Sequence, residues 1–251
     1  MPINYLRRLT SPARTELSNR HLGRSLAFVA GAINAGGFLA VGQYTSHMSG
    51  IVSALADDLV LGQAILLVTG ASALLAFIAG AATSAVMINW GRRRQTHSEY
   101  AMPLMLEAVL LLCFGILGSN LEGHRLLFVP ATVALLCYVM GLQNAMITKI
   151  SRAEIRTTHV TGLVTDIGIE IGKMCYWTMA PRMPGEHLTD DQIQPAYRKL
   201  LLLSSLLLMF FLGGVIGAMG FKAVGFLATI PLAASLFLLA LVPLIDDLVR
   251  N

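Results

Sequence analysis

The chain has 251 residues, of which 55% are hydrophobic and only 13% charged, and its mean hydropathy is +0.69. That composition excludes a water-soluble domain, and long unbroken apolar runs exclude the alternating pattern of a barrel, which leaves membrane-spanning helices of about 20 apolar residues each. The net charge of +4 comes from basic residues scattered over short loops, a topology signal rather than a nucleic-acid surface.

Residues 1–23 carry Arg7, Arg8, Arg14 and Arg20 without the apolar core of a signal peptide, and read as a cytoplasmic basic tail. Six segments are long enough to span: 25–44, 64–90, 102–119, 126–148, 200–221 and 223–245. With both termini inside, Arg92, Arg93, Arg94, Lys149, Arg152, Arg156, Arg198 and Lys199 fall on the inner side, and only Arg125 and Lys222 fall outside. This is the asymmetry of a multi-pass membrane protein with both termini cytoplasmic. Small residues crowd the first, second and fifth spans, as at Gly31, Gly36, Gly37, Gly80, Gly213 and Gly217, and are read as close-packing positions. Trp90 precedes the arginine cluster as an interfacial anchor. Residues 50–62 and 162–173 are too short to span yet apolar on one face, so each is expected as a short helix, re-entrant or interfacial, capped by Ser49 or Thr161. Residues 176–198 read as a polar cytoplasmic loop, and Pro231 and Pro243 kink or end the last span. Cys113, Cys137 and Cys175, odd in number, give no disulfide framework and read as small packed hydrophobes.

One unit is written twice. Thr45-Ser46-His47-Met48-Ser49-Gly50 matches Thr157-Thr158-His159-Val160-Thr161-Gly162, and the match continues through Val52 with Val164, Ser53 with Thr165 and Asp58 with Glu170. Upstream, Gly31, Asn34 and Ala35 fall opposite Gly141, Asn144 and Ala145 after a two-residue gap. The expectation is an all-α membrane protein of two three-helix repeats, 24–120 and 121–251. Since three is odd, the second enters the membrane inverted, as in secondary transporters. His47 and His159 then lie on opposite faces.

The sequence Gly141-Leu142-Gln143-Asn144-Ala145 followed by Arg156-Thr157-Thr158-His159-Val160-Thr161-Gly162 resembles the signature of the YoaK family of bacterial membrane proteins, DUF1275, over nearly the whole chain. The resemblance implies a multi-pass inner-membrane protein of undefined activity and supplies no substrate. It leads one to expect Asp at the position of Asn34 and Asn at that of Ile51, where the first copy departs from the pattern.

Polar side chains within a bilayer are functional candidates because burying them unpaired is costly. Asn34, Asn144 and Gln143 would line a central site, with a hydrogen bond between spans 1 and 4 as the plainer alternative. His47 and His159, of the residue type that titrates near neutrality, sit beside Ser49, Thr158 and Thr161 at helix starts, which suits a polar or anionic solute; a structural clasp is the plainer alternative. Asp58, Glu107, Asp166 and Glu170 are proton-coupling candidates, with salt bridges or an interfacial position as their alternatives. No metal-ligand spacing, nucleotide loop or nucleophile elbow is found. The expectation is therefore a non-enzyme without cofactor or metal: a secondary transporter or channel for a small solute, with proton coupling as an option. A non-transporting structural or sensory membrane protein is the alternative. The partners expected are the lipid bilayer and the solute, with a homo-oligomer left open and no nucleic acid.

Overall fold

The computed structural model describes residues 15–94, 96, 99–118, 125–151, 155, 157–179 and 190–250, and among these every regular element is helical. In chain order they are α1 (Glu16–Val41), α2 (Met48–Val60), α3 (Ala64–Arg93), α4 (Ala101–Gly118), α5 (Arg125–Ile150), α6 (Val160–Met179), α7 (Asp190–Val224) and α8 (Thr229–Arg250), with a 3-10 turn over Gly225–Ala228. Four stretches are long and apolar enough to cross a membrane: Glu16–Val41, Ala64–Arg93, Val129–Ile150 and Gln194–Ile245. The last covers 52 residues, about 78 Å if straight, more than twice a hydrocarbon core of about 30 Å. It is broken at Gly225, whose φ of 61° lies in the left-handed region that other residues avoid. α4, with 18 residues, is about 27 Å long and just short of that thickness. These apolar helices are those of an integral membrane protein.

α1 starts where Thr15 accepts the Ser18 amide at 3.2 Å, a hydroxyl N-cap. It stops at Gly42, with φ 74° and its N–H bonded to the Phe38 carbonyl, a glycine cap of the left-handed kind. The helix therefore begins inside the stretch assigned to the basic tail. The polar loop expected over 176–198 is also narrower than its composition suggests. α6 runs on to Met179 and α7 begins at Asp190, taking Pro195 within its first turns; residues 180–189, like Arg152 and Arg156, lie outside the described residues.

Two parallel helix pairs form the body. α1 runs along α7, from Arg24 Nε donating to Ser205 Oγ at 2.8 Å to Gly36 beneath the Phe221 ring. α3 runs along α5, from Gly80 beside Tyr138 to Lys149 Nζ donating to Asn89 Oδ1 at 3.1 Å. In both pairs backbone meets backbone. A Cβ on Gly31 would overlap the Phe210 carbonyl, and one on Gly213 the Phe28 carbonyl; in the other pair Gly80 faces the Tyr138 carbonyl and Gly141 that of Phe77. The small residues expected as packing positions thus sit where only glycine permits the approach.

Between the pairs α1 crosses α5 antiparallel. Gln143 Nε2 donates to the Leu26 carbonyl at 3.2 Å, while Gly37, further along α1, lies under Leu136, which comes earlier in α5. α4 packs against α8, joined where Thr229 Oγ1 donates to the Leu111 carbonyl at 3.0 Å and Phe114 meets Phe226 edge-on. The short helix α2 lies on α3, and α6 on α7. The core is one large cluster that includes Leu26, Ile33, Leu104, Leu136, Met140 and Leu206, with a smaller one of Ile51, Ala73, Val133 and Cys137 between α2, α3 and α5. Of the cysteines only Cys137 is buried; Cys113 and Cys175 are exposed. Trp90 carries the Arg94 guanidinium over its ring at 4.8 Å, an amphipathic end to α3.

Candidate functional site

The copied turns fold alike. At the end of α1, Asn34 Oδ1 accepts from the Ser46 amide at 3.1 Å and the Ser46 hydroxyl at 2.9 Å. At the end of α5, Asn144 Oδ1 accepts from Thr158 Oγ1 at 2.7 Å, while its amide donates to the Met140 carbonyl at 3.0 Å. Each asparagine thus reaches along its own helix and pins the second hydroxyl residue of the copied turn that follows, Ser46 or Thr158. The bond between Asn34 and Asn144 that stood as the plainer alternative to a central site is not made. The crossing contacts set Leu26 beside Gln143 and Gly37 beside Leu136, so the two asparagines stand on either side of the crossing rather than at it.

His47 and His159 extend the likeness. A Cβ on Gly50 would come within 2.7 Å of His47 Nδ1, and one on Gly162 would overlap His159 Nδ1. Each imidazole therefore folds back over the first turn of the short helix, and the glycine three residues on makes room for it. The caps expected at Ser49 and Thr161 are not caps: α2 opens at Met48 with His47 in the capping position, and α6 opens at Val160, so both hydroxyl residues fall inside the first turn, exposed.

One residue of the turn escaped notice as a site residue. Thr45 and Thr157 are completely buried, and neither hydroxyl finds a hydrogen-bond partner among the described residues. The duplication could have found them, because they head the matched strings. Gln143 Oε1, Ser84 Oγ and both carboxyl oxygens of Glu107 are likewise buried without a partner among the described residues. Glu107 does not take the interfacial position that stood as the alternative to its proton-coupling reading. α4 begins at Ala101, and the side chain points into the core, fully buried. An ionised carboxylate there would cost several kcal/mol without a donor.

The acidic residues of the short helices divide. Asp58 and His47 line one cavity of about 400 Å³, with Gln43, Tyr44 and Thr69. Asp57 is exposed and Asp166 half-buried. Glu170 is 2% exposed and binds Lys199 Nζ at 2.9 Å and Lys173 Nζ at 3.1 Å. Its burial alone would raise the carboxyl, but the hydrogen bonds from Lys199 and Lys173 outweigh this and hold it below the usual carboxylate range. The matched positions Asp58 and Glu170 are thus chemically unlike: one borders an open cavity and the other is neutralised in place. His47 and Asp58, at opposite ends of α2, border one cavity, and the other copy sets His159 beside the Thr158–Asn144 bond.

The family model described as "Protein of unknown function (DUF1275)" matches residues 22–242. The chain belongs to the DUF1275 family. No curated protein and no solved structure matches it. In this DUF1275 chain the match takes in α1 through most of α8, including both asparagine clasps and both histidine turns.

The clasps can be weighed directly. In a double-mutant cycle of Asn34→Ala with Ser46→Ala, followed by unfolding in mixed micelles, a coupling of about 0.6 to 1.7 kcal/mol is expected, the range of side-chain hydrogen bonds within membranes. Asn144→Ala with Thr158→Ala should give a similar value. Strictly additive losses would mean that neither bond holds its turn.

Proposed function

We propose that the chain is a six-span inner-membrane protein of two inverted three-helix halves, and that it works as a secondary transporter or channel for a small polar or anionic solute. The observation that carries this reading is the asparagine clasp made twice, on two helices that cross antiparallel, so that like turns stand at opposite ends of the bundle. The glycine contacts agree with it: Phe28 and Gly31 meet Phe210 and Gly213 as Tyr138 and Gly141 meet Phe77 and Gly80, each pair drawing one helix from either half. Arg24, Arg92, Lys149 and Lys199 gather toward the ends where α1 and α7 begin and α3 and α5 finish, which supports cytoplasmic termini.

The mechanism follows from which contacts are rigid. The pairs α1–α7 and α3–α5 are joined backbone to backbone, whereas α1 and α5 touch through side chains. Rocking of one pair against the other about the α1–α5 seam would expose the His47 turn and then the His159 turn in alternation. His47 with Asp58, and His159 with Thr158, would bind solute at the two mouths. Glu107, the buried acid with no partner among the described residues, is the proton-carrying candidate, ahead of Asp166 and the lysine-bound Glu170.

Proteoliposomes loaded against a panel of small anions and neutral polar solutes, with and without a pH gradient, provide the test. Uptake is expected, and His159→Ala or Glu107→Gln should reduce its rate by about tenfold, the effect of losing roughly 1.4 kcal/mol. No uptake in any class, with the protein folded, would refute it. A specific observation favours a second reading, that of a non-transporting structural or sensory protein: the seam is packed with Leu26, Ile33, Leu136 and Met140, all buried. Under that reading double electron–electron resonance between labels on α1 and α5 gives one narrow distance, and under the first it gives two.

A further inference from the structure

We propose that the groove between α1, α7 and α8 is a binding site for an anionic phospholipid of the leaflet at the α1 N-terminal end, with its phosphate on Arg24 and one acyl chain lying along the groove. The cavity measures about 890 Å³. Its walls are mostly apolar, as at Phe28, Ala32, Ile216, Gly220, Val224 and Leu232; His21, Arg24 and Ser25 open it at one end, and the one polar side chain further along, Ser235, donates its hydroxyl to the Leu232 carbonyl at 2.7 Å. The parallel course of α1 and α7 sets that end toward the start of α1, where Arg24 meets Ser205 midway along α7. The opposite end is closed by Leu227 and Ala228 of the 3-10 turn. On the other flank α4 packs against both α3 and α5, while α8 scarcely touches α1, so protein fills the one flank and leaves the other open.

Chemistry selects the occupant. Apart from Ser235, water finds no polar side chain along such walls, and an empty slot would forfeit the dispersion contacts of three helices. The length of the groove from His21 to Ala32 is set by α1 itself: eleven residues, about 17 Å. A single acyl chain suits an apolar slot of that length, and the basic mouth complements a phosphate rather than the apolar face of a second copy's helix. At the mouth, Arg24 spends its Nε donor on Ser205, which holds the guanidinium in place and leaves the rest of its fork for a phosphodiester. The site does not depend on transport, only on the helices lying in a bilayer.

The full chain, purified in dodecyl maltoside, is exposed to equal palmitoyl-oleoyl-phosphatidylglycerol and palmitoyl-oleoyl-phosphatidylcholine, and retained lipid is counted by native mass spectrometry. A phosphatidylglycerol with a diazirine on its acyl chain then maps the contact. Retention of the anionic lipid over the zwitterionic one by about fivefold is expected, the effect of one well-placed basic residue, with crosslinks on Ile216, Val224 or Leu232. Arg24→Gln should bring the two lipids to parity. Ser205→Ala, which breaks the bond to Ser205 but keeps the charge, should preserve the preference, and Ile216→Trp should lower retention of both. Parity in the parent protein, crosslinks confined to other surfaces, or crosslinks showing a second copy in the groove would each overturn the proposal. Because the parent comparison and the map need no variant, a misfolded variant does not rescue it.

Discussion

Gly213→Leu is expected to abolish the native fold or to destabilise it more than any surface change. A Cβ at this position would overlap the carbonyl of Phe28, and the reciprocal contact sets Gly31 on the Phe210 carbonyl. A carbonyl held in a helix cannot turn aside as a side chain can, so α1 and α7 must part along their length. Overpacking of an ordinary core costs about 1–3 kcal/mol; here the loss should exceed that, since separation also exposes Gly217 against Ala32 and Gly36 against Phe221. Gly141→Leu should do the same to α3 and α5. Gly168→Ala and Gly172→Ala on α6 make the control: their new methyls meet nothing within 4 Å, and helix propensity should raise stability by about 0.5–1 kcal/mol each. Thermal melts and gel filtration in detergent read both sets. If Gly213→Leu melts with the parent, the helices are not held by backbone contact.

Much of this was legible in the residues. The apolar runs gave the membrane class and the position of α3, α4 and α5 to within a turn, because hydrophobic length is fixed by the bilayer, whereas α1 and α7 begin well before the apolar residues of their spans and α8 begins after Gly225. The duplicated histidine turn pointed to Asn34 and Asn144 as a matched pair. What they bind was not legible, since a side chain on a helix can reach along it or across it, and only coordinates separate Ser46 from Asn144 as the partner. The four crossings share a spacing, an aromatic residue followed three places on by glycine, at Phe28, Phe77, Tyr138 and Phe210. Among 23 glycines that spacing carries little weight until the partner helix is known. Glu107 was misplaced because α4 is apolar nearly all round, and such a helix has no periodic face to say where an acid points. α6 was cut short at Lys173 because Cys175, Tyr176 and Trp177 stand next to a polar, proline-rich stretch. The groove had no signal at all, being the space left where α8 diverges from α1.

Removing both lysines that hold Glu170 is expected to cost more than removing Glu170 itself. The carboxylate is 2% exposed, while Lys173 and Lys199 are about half exposed at 53% and 48%. Lys173→Met with Lys199→Met therefore strands a buried charge. Breaking a buried pair in this way costs about 3–5 kcal/mol, and partial solvent screening of the lysines should place the loss somewhat below that range. Glu170→Gln strands nothing, because the two ammonium groups can turn to water, and its loss should be smaller. Adding Glu170→Gln to the double lysine variant should then restore stability, a sign that no simple loss of packing produces. The pH dependence has a definite direction. The lysine bonds hold the native carboxyl below its unfolded value of about 4.3, so in acid the unfolded chain takes up the proton first and stability rises with pH there. The contribution of Glu170 is complete above about pH 5.5, declines as the pH falls through the usual carboxyl range, and is gone below the lowered native value. α6 is not among the stretches long and apolar enough to cross a membrane. Unfolding midpoints between pH 3 and 7 should show this acid limb in the parent and lose it in Glu170→Gln; identical profiles would show that the ion pair does not hold α6 to α7.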